Sequence, residues 1–383
     1  MRTTFKILLC LGLSFVTAGV GETSAQSVQP AAPGGAPAHP PGPQISRGNQ
    51  GVVGVITGME GGTYARTGAD LTILDDEALR VLPTLGKGSL QNLSDILYLR
   101  GIDIGFVQAD ALTYAKQHDM FANLTENIRY IAKLYDEEIH VLVRKDITKL
   151  EDLNGQRVNV DVVGSGSAMT AEILLDALGI KAIVEHDKQI NGVQKLKNGE
   201  IAGIIHVGGA PIPLLADVNG ESGIHFLPVA LNETLAQTYL PDQLTHAAYP
   251  SLVPSDTPVP TIAVGDVLAV FAWQKHSERY DNVNHFVDVF FSKFDQFQQP
   301  PRHPKWREVN LTAEVPGWTR LQSAQDWLTR QNSVRTASAA TQARFNDFLS
   351  QASPAVNSKL TDAERAKLFQ QFLAWDRQRS AAR

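Results

Sequence analysis

The stretch from Gly155 to Gly179 constrains the fold of this chain more than any other. It reads GQRVNVDVVGSGSAMTAEILLDALG, in which valines first alternate with polar residues and leucines later recur at helical spacing. This order predicts a strand, a glycine-serine loop at residues 164–167 and a helix that begins directly after the loop. The first N–H groups of a helix have no partner inside the helix, and the helix dipole adds a partial positive charge there. The junction therefore favours binding of a carboxylate or another anion.

The N-terminal residues predict export. Residues 1–26 contain Arg2 and Lys6, a mainly apolar run from Ile7 to Val20 and small residues at 23–25, which is the order of a cleaved secretory signal peptide. A single membrane anchor is the alternative, but the run is shorter than the ~20 apolar residues that span a bilayer. Residues 27–50 are rich in proline and glycine and predict a disordered linker, since they hold too few apolar groups to offset the entropy lost on ordering.

Cysteine usage and charge exclude several classes of protein. Cys10 is the only cysteine of the 383 residues, and it lies inside the predicted signal peptide. The mature chain would then have no thiol for catalysis, metal binding or disulfides, and export without disulfides fits a bacterial periplasm. The formal net charge is −6 and no basic cluster stands out, which disfavours nucleic acid as a partner.

The rest of the chain predicts an α/β protein that is large enough for two domain cores. Of its residues 43% are hydrophobic and 19% are charged, and from Gly51 onward short apolar strands alternate with helical stretches. Several strands end in small or polar residues, which is where open parallel sheets bind ligands. These strand ends are residues 58–64, 86–89, 108–110, 164–167 and 208–211.

The sequence contains no recognisable motif for catalysis or for a cofactor. Residues 164–167 differ from the glycine-x-serine-x-glycine of a nucleophile elbow, and Met169 replaces the third glycine of a dinucleotide fingerprint. The histidines, among them His140 and His206, lack metal-ligand spacing and are interpreted as structural. We therefore predict no enzyme activity, no cofactor and no metal, and keep an exported hydrolase as the remote alternative.

Two further patterns are interpreted as ordinary structure. The acidic run Asp136-Glu137-Glu138 is interpreted as a solvated surface turn. Large apolar residues step by three and four between Tyr280 and Phe297, which predicts one helix with a core-facing stripe.

Five short motifs occur in an order that resembles one family of exported proteins. They are GGTY at 61–64, GKGSLQNL at 86–93, GFVQAD at 105–110, GSGS at 164–167 and VGGAP at 207–211. This order is similar to that of the TAXI family, the solute-binding proteins of tripartite ATP-independent periplasmic (TRAP) transporters. The resemblance covers roughly residues 51–330.

The resemblance implies a fold, a solute class and a partner. The fold would be α/β, a type II periplasmic binding-protein fold with two α/β lobes around a ligand cleft and a helical C-terminal extension. Residues 51–143 and 257–332 would form lobe 1, residues 144–256 lobe 2, and residues 333–383 the extension. The protein would be a periplasmic monomer that captures a small organic acid, a carboxylate or an amino-acid-like solute, and delivers it to integral membrane TRAP permease subunits. A receptor that reports the solute to a membrane sensor would use the same cleft and stays open.

The predicted ligand-binding residues lie in or beside these motifs. A helix N-terminus contributes about 0.3 to 1 kcal/mol to anion binding, whereas micromolar affinity needs about 8 kcal/mol. Side-chain hydrogen bonds, packing against an aromatic ring and a full positive charge must supply the difference. The predicted residues are Gly62, Thr63, Tyr64, Lys87, Ser89, Gln108, Ser165, Gly166, Ser167 and Gly209.

Three charged residues leave alternatives open. Lys87 stands where the family commonly has glycine, and it either pairs with a carboxylate of the solute or is a solvated turn lysine. Arg66, one turn into a predicted helix, is a weaker second candidate for the same role. Asp161 either binds an ammonium group of the solute or, as we favour, pairs with a neighbouring basic residue.

Overall fold

The structure, a computed structural model, describes residues 51–220, 223–352, 361, 365–366, 368–369 and 372–373. The predicted signal peptide at 1–26 and the predicted linker at 27–50 lie outside these residues, as does most of the predicted extension beyond residue 352. Within the described residues, no helix is long and apolar enough to cross a bilayer.

One mixed sheet runs through the described chain. Its strands are β1 (Val52–Ile56), β2 (Arg80–Thr84), β3 (Ile104–Gln108), β4 (Ile128–Val143), β5 (Arg157–Asn159), β6 (Ile183–Glu185), β7 (Gly203–Gly208), β8 (His225–Phe226), β9 (Leu240–Leu244) and β10 (Val259–Phe271). The order is β2-β1-β3-β10-β4-β7-β5-β6, with β8 paired to β4 and β9 paired to β10. The pairs that involve β4 or β10 are antiparallel, and the others are parallel.

Helices connect the strands. They are α1 (Thr63–Asp70), α2 (Ser89–Tyr98), α3 (Ala109–Gln117), α4 (Leu124–Asn127), α5 (Gly166–Ala177), α6 (Gln189–Lys197), α7 (Pro213–Ala216), α8 (Glu278–Ser292), α9 (Phe294–Phe297) and α10 (Gln322–Ala352). Short 3-10 helices occupy Leu71–Leu74, Leu150–Leu153, Leu235–Gln237 and Pro304–Glu308.

The sheet consists of two similar halves. In the first half β1 lies between β2 and β3 in parallel, and in the second half β5 lies between β6 and β7 in the same way. The long antiparallel strands β4, of 16 residues, and β10, of 13 residues, join the halves at the centre. This topology confirms the predicted fold class, a two-lobed α/β fold of the type II periplasmic binding-protein kind.

Each half has apolar cores of its own. In the first half, residues of β1, β3 and α8 pack together, including Val53, Phe106 and Phe290. In the second half, residues of β5, α5 and β7 do the same, including Val158 and Leu174. Strands that lie between two neighbours and under helices are covered on both faces, which explains their nearly continuous apolar sequences.

The junction of β5 and α5 follows the prediction. The strand ends at Asn159, and α5 begins at Gly166, so the last two residues of the predicted loop already form the first turn of the helix. Gly164 has a φ of +88°, a conformation that glycine adopts without steric penalty. The Ser165 Oγ accepts a hydrogen bond from the Ala168 N–H at 3.1 Å and so caps the helix. The loop sequence therefore specifies both the turn and the helix start.

The predicted apolar stripe between Tyr280 and Phe297 is core, but the prediction of one helix is wrong. Val283, Phe286 and Phe290 are buried on α8, which ends at Ser292. Lys293 leaves helical geometry with φ −98° and ψ 9°. The last two aromatic residues of the stripe therefore belong to α9 and reach the same core from a second helix.

The prediction of a solvated turn at residues 136–138 is also wrong. These residues lie inside β4, and Glu137 and Glu138 expose only 3% and 5% of their surface. The strand is flanked by β10 on one side and β7 on the other, where Glu137 faces Val264 and Glu138 faces Gly208. Tertiary pairing thus buries a run of acids that sequence alone assigns to the surface.

Candidate functional site

A cavity of about 710 Å³ lies where the ends of several strands meet the beginnings of several helices. Its lining comes from both halves of the sheet and from the central strand β4. The lining residues are Gly58, Met59, Glu60, Gly61, Gly62, Thr63, Tyr64, Arg66, Leu85, Gly86, Lys87, Gly88, Gln108, Glu137, Asp161, Ser165, Gly166, Ser167, Lys188, Gln189, Ile190, His206, Val207, Gly208, Ile212, Pro213 and Leu214.

Helix N-termini form one side of this cavity. In the described chain the residues at or just before the start of α1, α2, α3, α5 and α6 all line it. We call these five helix starts the helix-end wall. No side chain caps the first turn of α1, α2, α3 or α6. Their first N–H groups and dipoles give this side of the cavity a partial positive charge.

The two halves touch along the helix-end wall. The Gln91 N–H donates to the Gly164 carbonyl at 3.1 Å. Gly166 packs so closely that a Cβ there would lie 1.9 Å from the Gln108 Oε1 and 2.7 Å from the Ser89 Oγ. A larger residue at this position would therefore have to displace the Gln108 and Ser89 side chains or move α5 away from the first half.

The predicted serine and threonine residues hold these elements in place. The Ser89 hydroxyl donates to the Gln108 Oε1 at 2.9 Å and accepts from the Gln108 N–H at 3.0 Å. The Ser167 hydroxyl accepts from the Val207 N–H at 3.0 Å, which ties α5 to β7. The Thr63 hydroxyl donates to the Gly209 carbonyl at 3.2 Å, which ties α1 to the loop after β7. Each of these hydroxyls therefore already has a protein partner.

The structure brings most of the predicted site residues to one cavity. Two of the ten, Ser89 and Gly209, are absent from its lining but form hydrogen bonds with the lining residues Gln108 and Thr63. The other eight line it, namely Gly62, Thr63, Tyr64, Lys87, Gln108, Ser165, Gly166 and Ser167. Their contact with a ligand stays a prediction.

Cationic side chains surround the opening. Arg66, Lys87 and Lys188 are exposed and line the cavity. Among the described residues none of the three forms an ion pair. These three side chains bring positive charge to the cavity, and the exposed Glu60 brings one negative charge to the same lining.

A cluster of buried acids reaches the cavity through one of its members, Glu137. It consists of Glu137, Glu138 and Asp266, all buried on β4 and β10. The Tyr64 hydroxyl donates to the Glu137 Oε2 at 2.9 Å, whereas both carboxylate oxygens of Asp266 have no hydrogen-bond partner in the described structure. Burial raises the pKa of Glu137 and of Asp266 above the usual range, and each carboxyl raises the pKa of its neighbours further.

A buried lysine compensates one member of the cluster. The Lys305 Nζ lies 2.6 Å from the Glu138 Oε1 and 2.8 Å from the Glu308 Oε2. The Ala210 N–H donates to the other oxygen of Glu138 at 2.8 Å. Burial still raises the pKa of Glu138, against the opposing effect of Lys305. Because Lys305 is held by two other carboxylates, Glu137 and Asp266 have no direct cationic partner in the described chain.

Asp161 lines the cavity from the second half, and the favoured prediction that it pairs with a base is wrong. It forms no ion pair in the described part of the chain, and its Oδ1 has no partner. His186 contacts the backbone carbonyl of Asp161 at 3.0 Å, not its carboxylate. Burial raises the pKa of Asp161 to about 6, against hydrogen bonds from the Val162 backbone and the Ser165 side chain.

The family comparison covers the whole of this cavity. A sequence model of the NMT1-like family matches residues 55–315. The chain belongs to the NMT1-like family. All lining residues fall within the matched range.

Solved structures similar to this NMT1-like chain share little sequence with it. One described as the structure of a periplasmic transporter is 12% identical, covers 75% of this chain and 96% of its own, and has a TM-score of 0.47. A TctC solute binding protein from Polaromonas is 15% identical, covers 73% and 88%, and has a TM-score of 0.37. The substrate binding protein of an amino acid ABC transporter is 13% identical, covers 64% and 97%, and also has a TM-score of 0.37.

Several residues that line the cavity were not predicted from the sequence. Glu137 lies in an acidic run that is typical of a turn, and Lys188 and Gln189 cap and begin α6 without a glycine-rich signal in the sequence. His206 lines the cavity, its Nδ1 has no partner in the described structure, and burial lowers its pKa to about 4. His140 does not line the cavity, and its Nε2 lies 2.8 Å from the Tyr249 hydroxyl. Within the described residues no group of three or more His, Cys, Asp or Glu side chains is arranged to hold a metal.

Proposed function

We propose that this NMT1-like chain is a periplasmic solute-binding protein of the TAXI type, which captures a small organic acid and delivers it to a TRAP-type permease. The observation that carries the proposal is the convergence of five helix N-termini from both halves on one cavity. The solute would be a carboxylate or an amino acid, and the protein would act without chemical turnover.

The size and charge of the cavity support this proposal. Its volume of about 710 Å³ falls in the range of small-molecule sites, about 300 to 1,000 Å³. Five helix ends at about 0.3 to 1 kcal/mol each contribute about 1.5 to 5 kcal/mol, which is less than the roughly 8 kcal/mol of micromolar binding. The full positive charges of Arg66, Lys87 and Lys188 would supply part of the remaining binding free energy for an anionic solute.

The topology supports capture by closure of two lobes. We propose that the lobes follow the predicted boundaries, residues 51–143 with 257–332 and residues 144–256. The chain would cross between them along β4 and β10, and the contacts at Gly166 and Gly209 would form when the cleft closes. Delivery to a permease would then require these contacts to open.

A thermal-shift screen of the mature chain, residues 27–383, tests the proposed function. Each probe is one carboxylic acid or one amino acid at saturating concentration. A ligand at about 100 times its dissociation constant stabilises the folded protein by about 2.7 kcal/mol, which is a clear rise in the melting temperature. If no acid of either kind raises the melting temperature, the proposed function is wrong.

A further inference from the structure

The acidic cluster holds more buried acid than buried base. Glu137, Glu138 and Asp266 lie together, and Lys305 is already held by Glu138 and Glu308. Asp266 is fully buried with both carboxylate oxygens unpartnered. Of these three acids, Glu137 lines the cavity. A cationic group of a ligand in the cavity could therefore contact the cluster at Glu137.

We propose that Glu137 selects a solute with an ammonium group, and that such a solute displaces a proton from Glu137 when it binds. This inference rests on the proposed function and deepens it, because it distinguishes an amino-acid-like solute from a plain carboxylic acid. The helix-end wall would bind the carboxylate of the solute, and Glu137 would accept a hydrogen bond from its ammonium group.

The proton balance of this exchange is simple. In the absence of ligand the carboxyl of Glu137 holds a proton, since burial and the neighbouring acids disfavour its charged form. The ammonium group of the solute keeps its own protons. It takes the place of the proton on Glu137 and stabilises the charged carboxylate. One proton leaves to solvent, and no bond to carbon changes.

The groups that face Glu137 come from every element packed around it. Tyr64 of α1 donates to it, Asp266 of β10 and Glu138 of β4 add negative charge, and Lys305 of the 3-10 helix adds positive charge from behind Glu138. Asp110 of α3 adds further negative charge. Together these acids favour a cation at this position, because a cation stabilises their charged forms, whereas a second carboxylate would raise their pKa further.

Matched pairs of probes test the role of the ammonium group. The pairs are L-alanine with propionate, L-valine with isovalerate and L-glutamate with glutarate, each measured by calorimetry with the mature chain. Two buffers that differ in ionisation enthalpy report the protons released. We expect an amino acid to bind at least about tenfold more tightly than its partner and to release up to about one proton per binding event near neutral pH.

A conservative variant assigns the proton to Glu137. Glu137→Gln keeps the shape of the side chain but cannot ionise, so we expect binding of the amino acid to weaken by about 10- to 100-fold and proton release to disappear. Tyr64→Phe removes the donor to Glu137 and serves as a second variant, with weaker binding and retained proton release. Asp136→Asn is the matched control, since Asp136 lies on the same strand but pairs with Lys133 outside the cavity.

The outcomes separate the two proposals. If the acid without an amino group binds as tightly as the amino acid, or if Glu137→Gln binds and releases protons like the parent, the inference on Glu137 is overturned while solute binding stands. If no probe of either kind binds, both proposals fall.

Discussion

The helix-end wall and Glu137 of the acidic cluster line the same cavity, and the two regions differ in the source of their charge. The wall is built from backbone groups at the starts of five described helices, and its charge is partial and permanent. The cluster is built from side chains on β4 and β10, and its charge depends on protons. The positive charge of the wall is therefore independent of pH in the ordinary range, whereas the charge of the cluster changes with pH and with any cation beside it.

The largest expected effect on stability comes from removing Lys305, the cation that pairs with Glu138 of the acidic cluster. Lys305→Met leaves the buried carboxylate of Glu138 without its cationic partner, and breaking such a pair typically lowers the free energy of unfolding by about 3 to 5 kcal/mol. Urea unfolding at neutral pH measures the loss. Lys133→Met is the control, because the Lys133–Asp136 pair is partly exposed and is expected to contribute less than about 1 kcal/mol. Equal losses of unfolding free energy in the two variants would contradict the inference that Lys305 compensates a buried carboxylate.

A second prediction concerns Asp110, a buried acid near the cluster that receives hydrogen bonds from Thr170 and Tyr239 at 3.0 Å each. Burial raises its pKa to about 6. The folded state then binds more protons than the unfolded state between about pH 4 and about pH 6, so this residue lowers the free energy of unfolding as the pH rises through that range. The full penalty, about 2 to 3 kcal/mol, is present above about pH 6.

Asp110→Asn tests this sign. The variant cannot ionise, so relative to the parent its free energy of unfolding should increase from about pH 4 to about pH 7 by up to that amount. Denaturant unfolding at both pH values gives the comparison. A difference that stays constant with pH, or that falls, would show that the folded state does not hold the proton on Asp110.

A third prediction concerns a substitution that introduces steric overlap between two helix starts of the helix-end wall. Gly166→Ala places a Cβ against the Gln108 Oε1 and the Ser89 Oγ, and such overpacking costs about 1 to 3 kcal/mol. We expect binding of any identified solute to weaken by at least about tenfold, because the two halves can no longer approach. Adding Gln108→Ala removes the closer of the two atoms and should restore part of the stability. A double variant no more stable than Gly166→Ala would argue against the overlap.

The smallest expected effect concerns Lys87 at the opening. If Lys87 pairs with a carboxylate of the solute, Lys87→Ala should weaken binding by about tenfold, or about 1.4 kcal/mol, and the difference should shrink at high ionic strength. Lys181→Ala is the control, since Lys181 is exposed outside the cavity lining. Unchanged affinity in the Lys87 variant would favour the alternative that Lys87 is a solvated turn lysine without a role in binding.

The helix-end wall is largely predictable from sequence, because its signals are local. The glycine-serine loop predicts the turn at Gly164 and the helix start, and both occur there, whereas the cap that Ser165 forms was not predicted. The same holds for the loop before α1, where Gly62 precedes the helix. Steric preference and capping act within a few residues, so a short stretch of sequence carries the information.

The acidic cluster is not predictable in this way, because its burial is a tertiary effect. Glu137 and Glu138 are next to each other in sequence and typical of a turn, yet β7 and β10 cover them from both sides. Asp266 comes from a distant part of the chain, within an apolar run. Only the pairing of β4 with β10 brings the three acids together, and no local pattern encodes that pairing.

The length of β4 has a consequence for how this protein can evolve. One strand of 16 residues pairs with β10, β7 and β8, so it sets the register of both halves. The insertion or deletion of one residue there would turn every following side chain to the opposite face. The length of β4 is therefore more tightly constrained than the identity of its partly exposed or cavity-lining side chains, because a change in length would disrupt both halves at once.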